Sequence, residues 1–375
     1  MAKKAKETKA GRVSMQDLMS LVNKKAGRHV AHDLTGENPT EVKEWISTGS
    51  RWLDSIICKG QVAGIPVGKV SELAGLTSTG KSYMAAQIAA NAQKQGKIVV
   101  YFDSESAIDP DFLERAGCDL SRLMYIQATS VEFVLETVEE LLGASDDQLL
   151  FIWDSLAFTP SVSDVEGDFN PQSSMAVKAR ILAKGMSKLV IPIADKQATL
   201  LVLNQLKTNI PSGPNARIIA MTTPYMTPGG KALHYSYSLR IWLTGRKAKS
   251  AFVEDDKGFR IGSEVKAKIE KSRFGTQGRN CAFRILWGTE DVGINDEESW
   301  LDAVKSSEFL KCAGSWYTLE MPDGYTKKFQ PSRWAEIIKA DEEFRNRIVQ
   351  LMDEEVVQKF DKREGKAADF YNDPE

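Results

Sequence analysis

Residues 75–82 have the types and the spacing of a phosphate-binding loop. Gly75, four further residues, and then Gly80, Lys81 and Ser82 fit the pattern Gly-x4-Gly-Lys-Ser/Thr. Glycines let the backbone turn so that N–H groups face phosphate oxygens, and a following helix adds partial positive charge. Lys81 is expected to reach the β- and γ-phosphates and Ser82 to hold Mg²⁺. The motif positions expected to contact the nucleotide are Gly75, Thr77, Ser78, Thr79, Gly80, Lys81 and Ser82. A glycine-rich turn that binds nothing is the alternative.

Three other polar residues lie at or just after apolar runs that are typical of buried strands. The runs are residues 98–103, 149–154 and 199–204. Phosphoryl transfer to water needs a metal and a residue that activates the water. Asp154 is favoured as a carboxylate that supports Mg²⁺, rather than as a simple strand cap. Glu105 could polarise the water, although its spacing alone fits a surface carboxylate equally well. Gln205 could sense the γ-phosphate and signal its presence to the next loop.

The segments around these residues alternate between strands and helices. Helices are predicted at residues 82–93, 130–142 and 175–188, and strands at 70–74 and at the three apolar runs. The alternation predicts βαβ units and an α/β fold with a mostly parallel, doubly wound sheet. Ligands of such sheets lie at the carboxyl ends of the strands. Residues 264–270 and 280–286 are expected to form an antiparallel extension.

Two long polar segments leave the same strand ends. Residues 161–174 contain Phe169, and residues 207–232 are rich in Pro, Gly, Thr, Asn and Ser and carry Lys207 and Arg217. Cations together with an occasional large side chain suit a site that tracks a single strand and unstacks its bases. Two surface loops without such a role are the equal alternative.

The two ends of the chain have their own character. Residues 1–12 are basic, and Ser14 is expected to cap a short amphipathic helix that a polar linker separates from the main domain. That helix must bury its apolar face on its own domain or on a neighbouring subunit, and the residues alone leave these equal. The predicted domains are residues 1–41 (tail, helix and linker), 42–290 (core), 291–368 (a small, mainly helical unit) and 369–375 (an acidic tail).

The composition describes a soluble globular protein. The 375 residues include 49 Lys and Arg against 51 Asp and Glu, so any nucleic-acid surface must come from local patches. The four cysteines are far apart, and the three histidines are too few for a histidine metal site. No membrane span or signal peptide is visible, and a reducing cytoplasm is the expected location.

These residues resemble the RecA family of recombinases over about residues 42–290. The resemblance rests on residues 45–54, the phosphate-binding loop, and the segments 101–112, 150–160, 165–168, 203–205 and 227–233, which stand in family order and at family spacing. Within the family, residues 265–274 and 314–317 are most similar to the T4-type phage recombinases of the UvsX type.

The resemblance implies roles by position. Glu105 would be the catalytic glutamate, Gln205 would couple the γ-phosphate to the second DNA loop, and Asp109 and Phe112 would contact adenine. Lys271 and Arg273 would reach the ATP of the neighbouring subunit. Residues 161–174 and 207–232 would be the two DNA loops, and the N-terminal helix would be the polymerisation arm. The DNA-binding candidates are Phe169, Arg180, Lys207, Arg217, Met221, Tyr225, Gly229 and Gly230.

The chain also departs from the bacterial RecA pattern. Thr77 replaces a glutamate and Tyr83 a threonine, although both are kept as nucleotide-binding candidates. Ser187 stands at a basic position, so one DNA contact is expected to be missing. The second DNA loop matches only at its ends, which leaves Met221 or Tyr225 as the residue that inserts between bases.

The interpretation is an ATP-dependent DNA recombinase, a Mg²⁺-dependent and DNA-dependent ATPase that forms a helical filament on single-stranded DNA. It would pair that strand with a homologous duplex and exchange strands, in the cytoplasm of a bacterium, specifically a phage-infected host. Mediator and single-strand-binding proteins are further expected partners. One alternative is a ring-forming motor of the same fold, such as a helicase or packaging ATPase. The other is a signalling ATPase that binds protein partners and no DNA.

Overall fold

The computed structural model describes residues 13–35, 40–167, 175–245, 251–288 and 292–359. The chain divides into two compact units, Met1–Lys43 and Glu44–Glu375. The helices are α1 (Met15–Ala26), α2 (Arg51–Ile57), α3 (Lys81–Lys94), α4 (Pro110–Arg115), α5 (Val131–Ala144), α6 (Val162–Glu166), α7 (Met175–Asp195), α8 (Ala216–Thr222), α9 (Lys231–Ser236), α10 (Trp300–Val304), α11 (Trp334–Ala340) and α12 (Glu342–Glu355).

The strands fall into one large sheet and three small ones. They are β1 (Trp45–Ile46), β2 (Ile65–Pro66), β3 (Val70–Gly75), β4 (Ile98–Asp103), β5 (Leu123–Gln127), β6 (Leu149–Asp154), β7 (Thr199–Gln205), β8 (Lys207–Thr208), β9 (Tyr225–Met226), β10 (Leu239–Gly245), β11 (Phe252–Glu254), β12 (Arg260–Ser272), β13 (Asn280–Leu286), β14 (Gly293–Asn295), β15 (Leu310–Ala313), β16 (Trp316–Glu320) and β17 (Thr326–Phe329).

The first unit contains α1 and the turn that follows it. The Ser14 hydroxyl accepts from the Asp17 N–H at 3.1 Å, and the Asp17 carboxylate accepts from the Ser14 N–H at 3.2 Å, which completes the predicted capping box. Gly27 ends the helix at a φ of 67°, in the left-handed region that favours glycine. The helix buries none of its residues, and Leu21 is 65% exposed.

The large sheet has the order β14-β13-β12-β10-β3-β7-β6-β4-β5, with β11 beside β12. Neighbours from β5 to β10 are parallel, and those from β10 to β14 are antiparallel. The predicted α/β fold is confirmed, together with its antiparallel extension. The central strands are apolar because helices cover both faces: α3 contributes Met84 and Ile88 to the core on one side, and α7 contributes Leu182 and Met186 on the other.

The C-terminal part of the second unit combines helices with a three-stranded antiparallel sheet, β15-β16-β17. Phe329 of this sheet packs against Trp334 and Phe344, with ring centroids 5.6 and 5.2 Å away. The helices were predicted from the sequence, but the sheet was not, because its short strands are largely exposed and lack a continuous apolar pattern.

Two predicted segments differ in detail. Helix α7 continues beyond residue 188, through Pro192 to Asp195, and the N–H of Lys196 still bonds to the Pro192 carbonyl at 3.0 Å. The segment 207–232, predicted as a loop, carries the antiparallel pair β8–β9 and the helix α8 between them. No helix within the described ranges is long and apolar enough to cross a membrane.

Candidate active site

Four adjacent parallel strands, β3, β7, β6 and β4, end at one edge of the sheet. There they surround a cavity of about 200 Å³. Its lining contains Thr77, Ser78, Lys81, Ser82, Asp103, Glu105, Ala107, Ile108, Phe112, Asp154, Ser155 and Gln205. The structure therefore brings six of the predicted nucleotide residues, Thr77, Ser78, Lys81, Ser82, Phe112 and Asp154, together with all three predicted catalytic residues, Lys81, Glu105 and Gln205.

The loop between β3 and α3 is shaped to receive an anion. Gly80 precedes α3 at a φ of 79°, and no side chain caps the helix, so its first N–H groups are free for phosphate oxygens. The positive φ of Gly80 favours glycine, and a Cβ there would lie 2.3 Å from the Ile285 Cδ1, so a larger residue would also require that side chain to move. The Lys81 Nζ donates to the carbonyls of Gly75 and Leu76 at 3.3 and 3.1 Å, and burial lowers the pKa of Lys81.

Two hard oxygen ligands meet beside this loop. The Ser82 hydroxyl donates to the Asp154 carboxylate at 3.0 Å, and the Tyr101 hydroxyl donates to the same oxygen at 2.9 Å. Burial raises the pKa of Asp154, while these hydrogen bonds oppose the rise. A hydroxyl and a carboxylate at this distance fit Mg²⁺, which takes a few protein oxygens and completes its shell with water and phosphate.

Asp103 fixes the short segment that carries Glu105. Its carboxylate accepts from the N–H groups of Glu105, Ala107 and Ile108 at 2.9, 3.0 and 3.2 Å. Glu105 in turn accepts from the Ser155 hydroxyl at 2.9 Å. From the sequence, Asp103 was predicted only as the end of a strand. An Asp that precedes a polar turn was the available signal for this local capping role.

An aromatic cluster lies next to the cavity. The Phe112 and Tyr83 rings are 4.5 Å apart and edge to face, and the Trp287 ring lies 6.3 Å from Tyr83. Asp109 is exposed and caps α4 by accepting from the Asp111 N–H at 3.1 Å. Trp287 was not predicted from the sequence, because no local pattern connects it to the phosphate-binding loop.

Lys271 and Arg273 lie far from the phosphate-binding loop of their own subunit. Ser272, between them, pairs with Leu239 at the first residue of β10, whereas Gly75 pairs four residues further along β10. At about 3.3 Å per residue, this separates the two cations from the loop by roughly 13 Å along the strands. Backbone carbonyls of residues 234 and 235 hold both side chains.

The predicted DNA residues occupy the segments that leave the active-site edge. Lys207 and Arg217 are exposed, Tyr225 is partly exposed, and Met221 is 76% exposed. Arg180 is exposed on α7. Gly229 and Gly230 end the second segment at φ values of 113° and 82°, which only glycine adopts easily. Phe169 lies outside the described residues.

The fold and the site together define an α/β P-loop nucleoside triphosphatase. The model of the RecA N-terminal domain matches residues 13–294. Protein RecA of Colwellia psychrerythraea is 30% identical over 76% of this chain and 76% of its own length, and Protein RecA of Fusobacterium nucleatum is 32% identical over 81% of this chain and 75% of its own. The chain belongs to the RecA family: it is a RecA-like DNA recombinase and a DNA-dependent ATPase.

Proposed function

We propose that the chain polymerises head to tail on single-stranded DNA, with each ATP held between two subunits, and that the filament pairs and exchanges strands with a homologous duplex. The observation that carries this proposal is the placement of Lys271 and Arg273 at the end of the sheet opposite to their own P-loop. Cations in that position are available to the nucleotide of a neighbour. A heterologous interface of this kind generates a helical filament when the rotation does not close.

In this proposal, the residues in and around the cavity have distinct roles. The free N–H groups of the P-loop and Lys81 bind the phosphates, and the base rests against Phe112, with Tyr83, Asp109 and Trp287 beside it. Ser82 and Asp154 would hold Mg²⁺, which neutralises charge on the phosphate oxygens. Glu105, fixed by Asp103, accepts the proton of the attacking water. Lys271 and Arg273 from the neighbour stabilise the charge that develops during transfer.

The second DNA segment is linked to this cavity by Gln205. That residue lines the cavity, and β8 begins two positions later. Contact with the γ-phosphate would therefore be transmitted to residues 207–232. The exposed cations of this segment would bind the DNA backbone, and Met221 or Tyr225 would separate its bases. Phe169, Arg180, Gly229 and Gly230 complete the proposed DNA surface.

We further assign the chain to the phage UvsX type, acting in the cytoplasm of an infected bacterium with mediator and single-strand-binding proteins. Residues 1–41 would supply the polymerisation arm, residues 42–290 the core, residues 291–368 the small terminal domain and residues 369–375 an acidic tail.

Two measurements separate this proposal from its rivals. We expect single-stranded DNA to stimulate ATP hydrolysis and to bind with an affinity that falls as salt rises, since cations contact its phosphates. A signalling ATPase would show neither effect. Electron microscopy with ATP and DNA should show open helical filaments, and closed rings would favour the motor.

A further inference from the structure

A buried ion pair lies in the middle of the large sheet. Glu72 on β3 is fully buried, and the Arg240 Nε on β10 donates to its carboxylate at 2.6 Å. The two residues are direct cross-strand partners. Burial raises the pKa of Glu72, and the adjacent guanidinium opposes that rise. The pair belongs neither to the nucleotide cavity nor to the DNA segments.

The Glu72 side of the pair is hydrogen-bonded to the end of β7 that borders the nucleotide cavity. The Asn204 amide donates to the other Glu72 carboxylate oxygen at 3.0 Å and to the Pro228 carbonyl at 3.1 Å. The Asn204 side-chain oxygen accepts from the Gln205 N–H at 2.9 Å. Glu72 is therefore two hydrogen bonds away from the backbone of the proposed nucleotide sensor.

The Arg240 side of the pair is hydrogen-bonded to Thr227, near the end of the second DNA segment. The Arg240 Nη2 donates to the Thr227 hydroxyl at 2.9 Å, and that hydroxyl lies 3.0 Å from the His234 Nε2. Burial lowers the pKa of His234 to about 4, so the ring is neutral near pH 7 and contributes a hydrogen bond without charge. Thr227 stands just before Pro228 and the glycine pair 229–230, and His234 lies on α9, which follows them.

The same helix holds the two interface cations. The Lys271 Nζ donates to the His234 carbonyl at 2.7 Å, and the Arg273 Nη2 donates to the Tyr235 carbonyl at 2.8 Å. Lys271 is also the cross-strand partner of Arg240. A continuous set of polar contacts thus runs from the cavity edge, through Glu72 and Arg240, to the opposite end of the sheet.

We propose that Glu72 and Arg240 are positioning residues that connect three sites within one subunit: the sensor strand end at Gln205, the C-terminal anchor of the second DNA segment at Thr227, and the cations Lys271 and Arg273. The inference rests on the proposed function and specifies which residues couple its nucleotide and DNA sites. The nucleotide of one subunit is coupled to DNA, and to the nucleotide of the next subunit, through this buried pair. A buried ion pair contributes little to stability relative to apolar residues of similar size, so a coupling role explains it better than stability does.

The test measures coupling separately from stability. The affinity of the full chain for a labelled single-stranded oligonucleotide is measured with and without a non-hydrolysable ATP analogue and Mg²⁺, and the analogue's affinity is measured with and without the oligonucleotide. Linkage requires the two ratios to agree. We expect Glu72→Leu/Arg240→Met to unfold at the wild-type temperature within a few degrees and to lower both ratios at least about fivefold, the lower end of typical coupling.

The matched control is Glu44→Leu/Lys97→Met, which removes another ion pair with a buried cation, 2.7 Å long and bonded to none of these residues. It should keep the wild-type ratios. Thr227→Val, which keeps the charge pair and deletes only the bridging hydroxyl, should lower the ratios by a smaller factor, and it tests the inference if the double variant fails to fold.

Unchanged ratios in a folded Glu72→Leu/Arg240→Met variant, or in Thr227→Val, would overturn the inference, and so would an equal fall in the control. A wild-type ratio of one would instead contradict the proposed function, and the coupling route would fall with it.

Discussion

Glu105 lies at the wall of the cavity that Lys81 and Ser82 also line, and the Ser155 hydroxyl and the Asp103 carboxylate fix its position. As the proposed general base, Glu105 would contribute by its placement as well as by its basicity. The neutral amide of Gln keeps the size of the side chain and removes the proton acceptor.

We therefore expect Glu105→Gln to bind ATP normally and to hydrolyse it about 10²- to 10⁴-fold more slowly. Filaments on DNA should persist, because they depend on the bound nucleotide. Phosphate release and filament lifetime are the measurements, and the exposed Glu114→Gln is the control. Near-normal hydrolysis in Glu105→Gln would remove the catalytic assignment.

Asp54 gives a pH-dependent prediction. Burial raises its pKa to about 7, although Ser47 and Thr48 donate hydrogen bonds to it. Between the unfolded pKa of about 4 and the folded value, the folded chain binds the extra proton. The contribution of Asp54 to the free energy of unfolding is therefore present below about pH 4 and is lost as the pH rises through about 7.

The quantity measured is the free energy of unfolding of the wild type minus that of Asp54→Asn, obtained by urea unfolding without nucleotide or DNA. We expect this difference to fall as the pH rises from about 5 to about 8. The exposed Gln16→Ala, which alters no titratable group, should show a constant difference. A difference that stays constant or grows for Asp54→Asn would contradict the raised pKa.

At this scale the sequence was most informative where residues act locally. A motif or a strand end was enough to propose the P-loop residues and Asp154, whereas Glu105 was favoured only by the family resemblance; Lys81, Ser82, Asp154 and Glu105 line one cavity. Trp287, the local capping role of Asp103 and the Glu72–Arg240 pair were missed. Trp287 comes near Tyr83 only in the folded chain. The pairing of Glu72 with Arg240 depends on strand register, and a charged residue inside an apolar strand gives no local sign of its partner.

Among the elements, α1 carries an apolar face that its own unit leaves exposed. Val13, Met15, Leu18, Leu21 and Val22 are between 45% and 69% exposed. A leucine that becomes fully buried contributes about 1.5–3 kcal/mol, and 1.4 kcal/mol corresponds to a tenfold change in affinity.

If α1 docks on a neighbouring subunit, Leu18→Ser/Leu21→Ser should weaken self-association by at least about tenfold and leave ATP binding by the monomer intact. Sedimentation against concentration measures the effect, and Gln16→Ala is the control on the same helix. Unchanged self-association would indicate that α1 packs on its own chain and not on a neighbouring subunit. Deleting residues 1–25, which removes nearly all of α1, should weaken self-association further.

Elements with strong periodicity were predicted, and those set by tertiary contacts were not. The apolar runs became β4, β6 and β7, and the Ser14 signal marked the start of α1. Helix α7 passes Pro192 because packing outweighs the local preference of proline to end a helix. The pair β8–β9 has two residues in each strand, too few for any alternating pattern to appear.

In the whole molecule, we propose that the position of Lys271 and Arg273 makes each catalytic site depend on two subunits. Glu105→Gln retains both cations, and Lys271→Ala/Arg273→Ala retains Glu105. Each variant alone should be inactive. In an equimolar random filament, roughly one interface in four joins an intact Glu105 to intact cations, so mixing should restore about a quarter of the wild-type ATPase activity.

The control for this mixing experiment is Lys268→Ala, an exposed cation on the same strand, which should remain active alone. Absence of any recovery on mixing would place the cations in the site of their own subunit, against the strand register.

The formation of joint molecules directly tests whether the chain pairs DNA by homology. The purified chain, ATP, Mg²⁺ and a labelled single strand are combined with either a homologous or a heterologous duplex. We expect joints with the homologous duplex alone, dependent on ATP and absent with Lys81→Ala. Binding to the single strand without any joints, or joints that form equally with the heterologous duplex, would contradict a homology-directed recombinase.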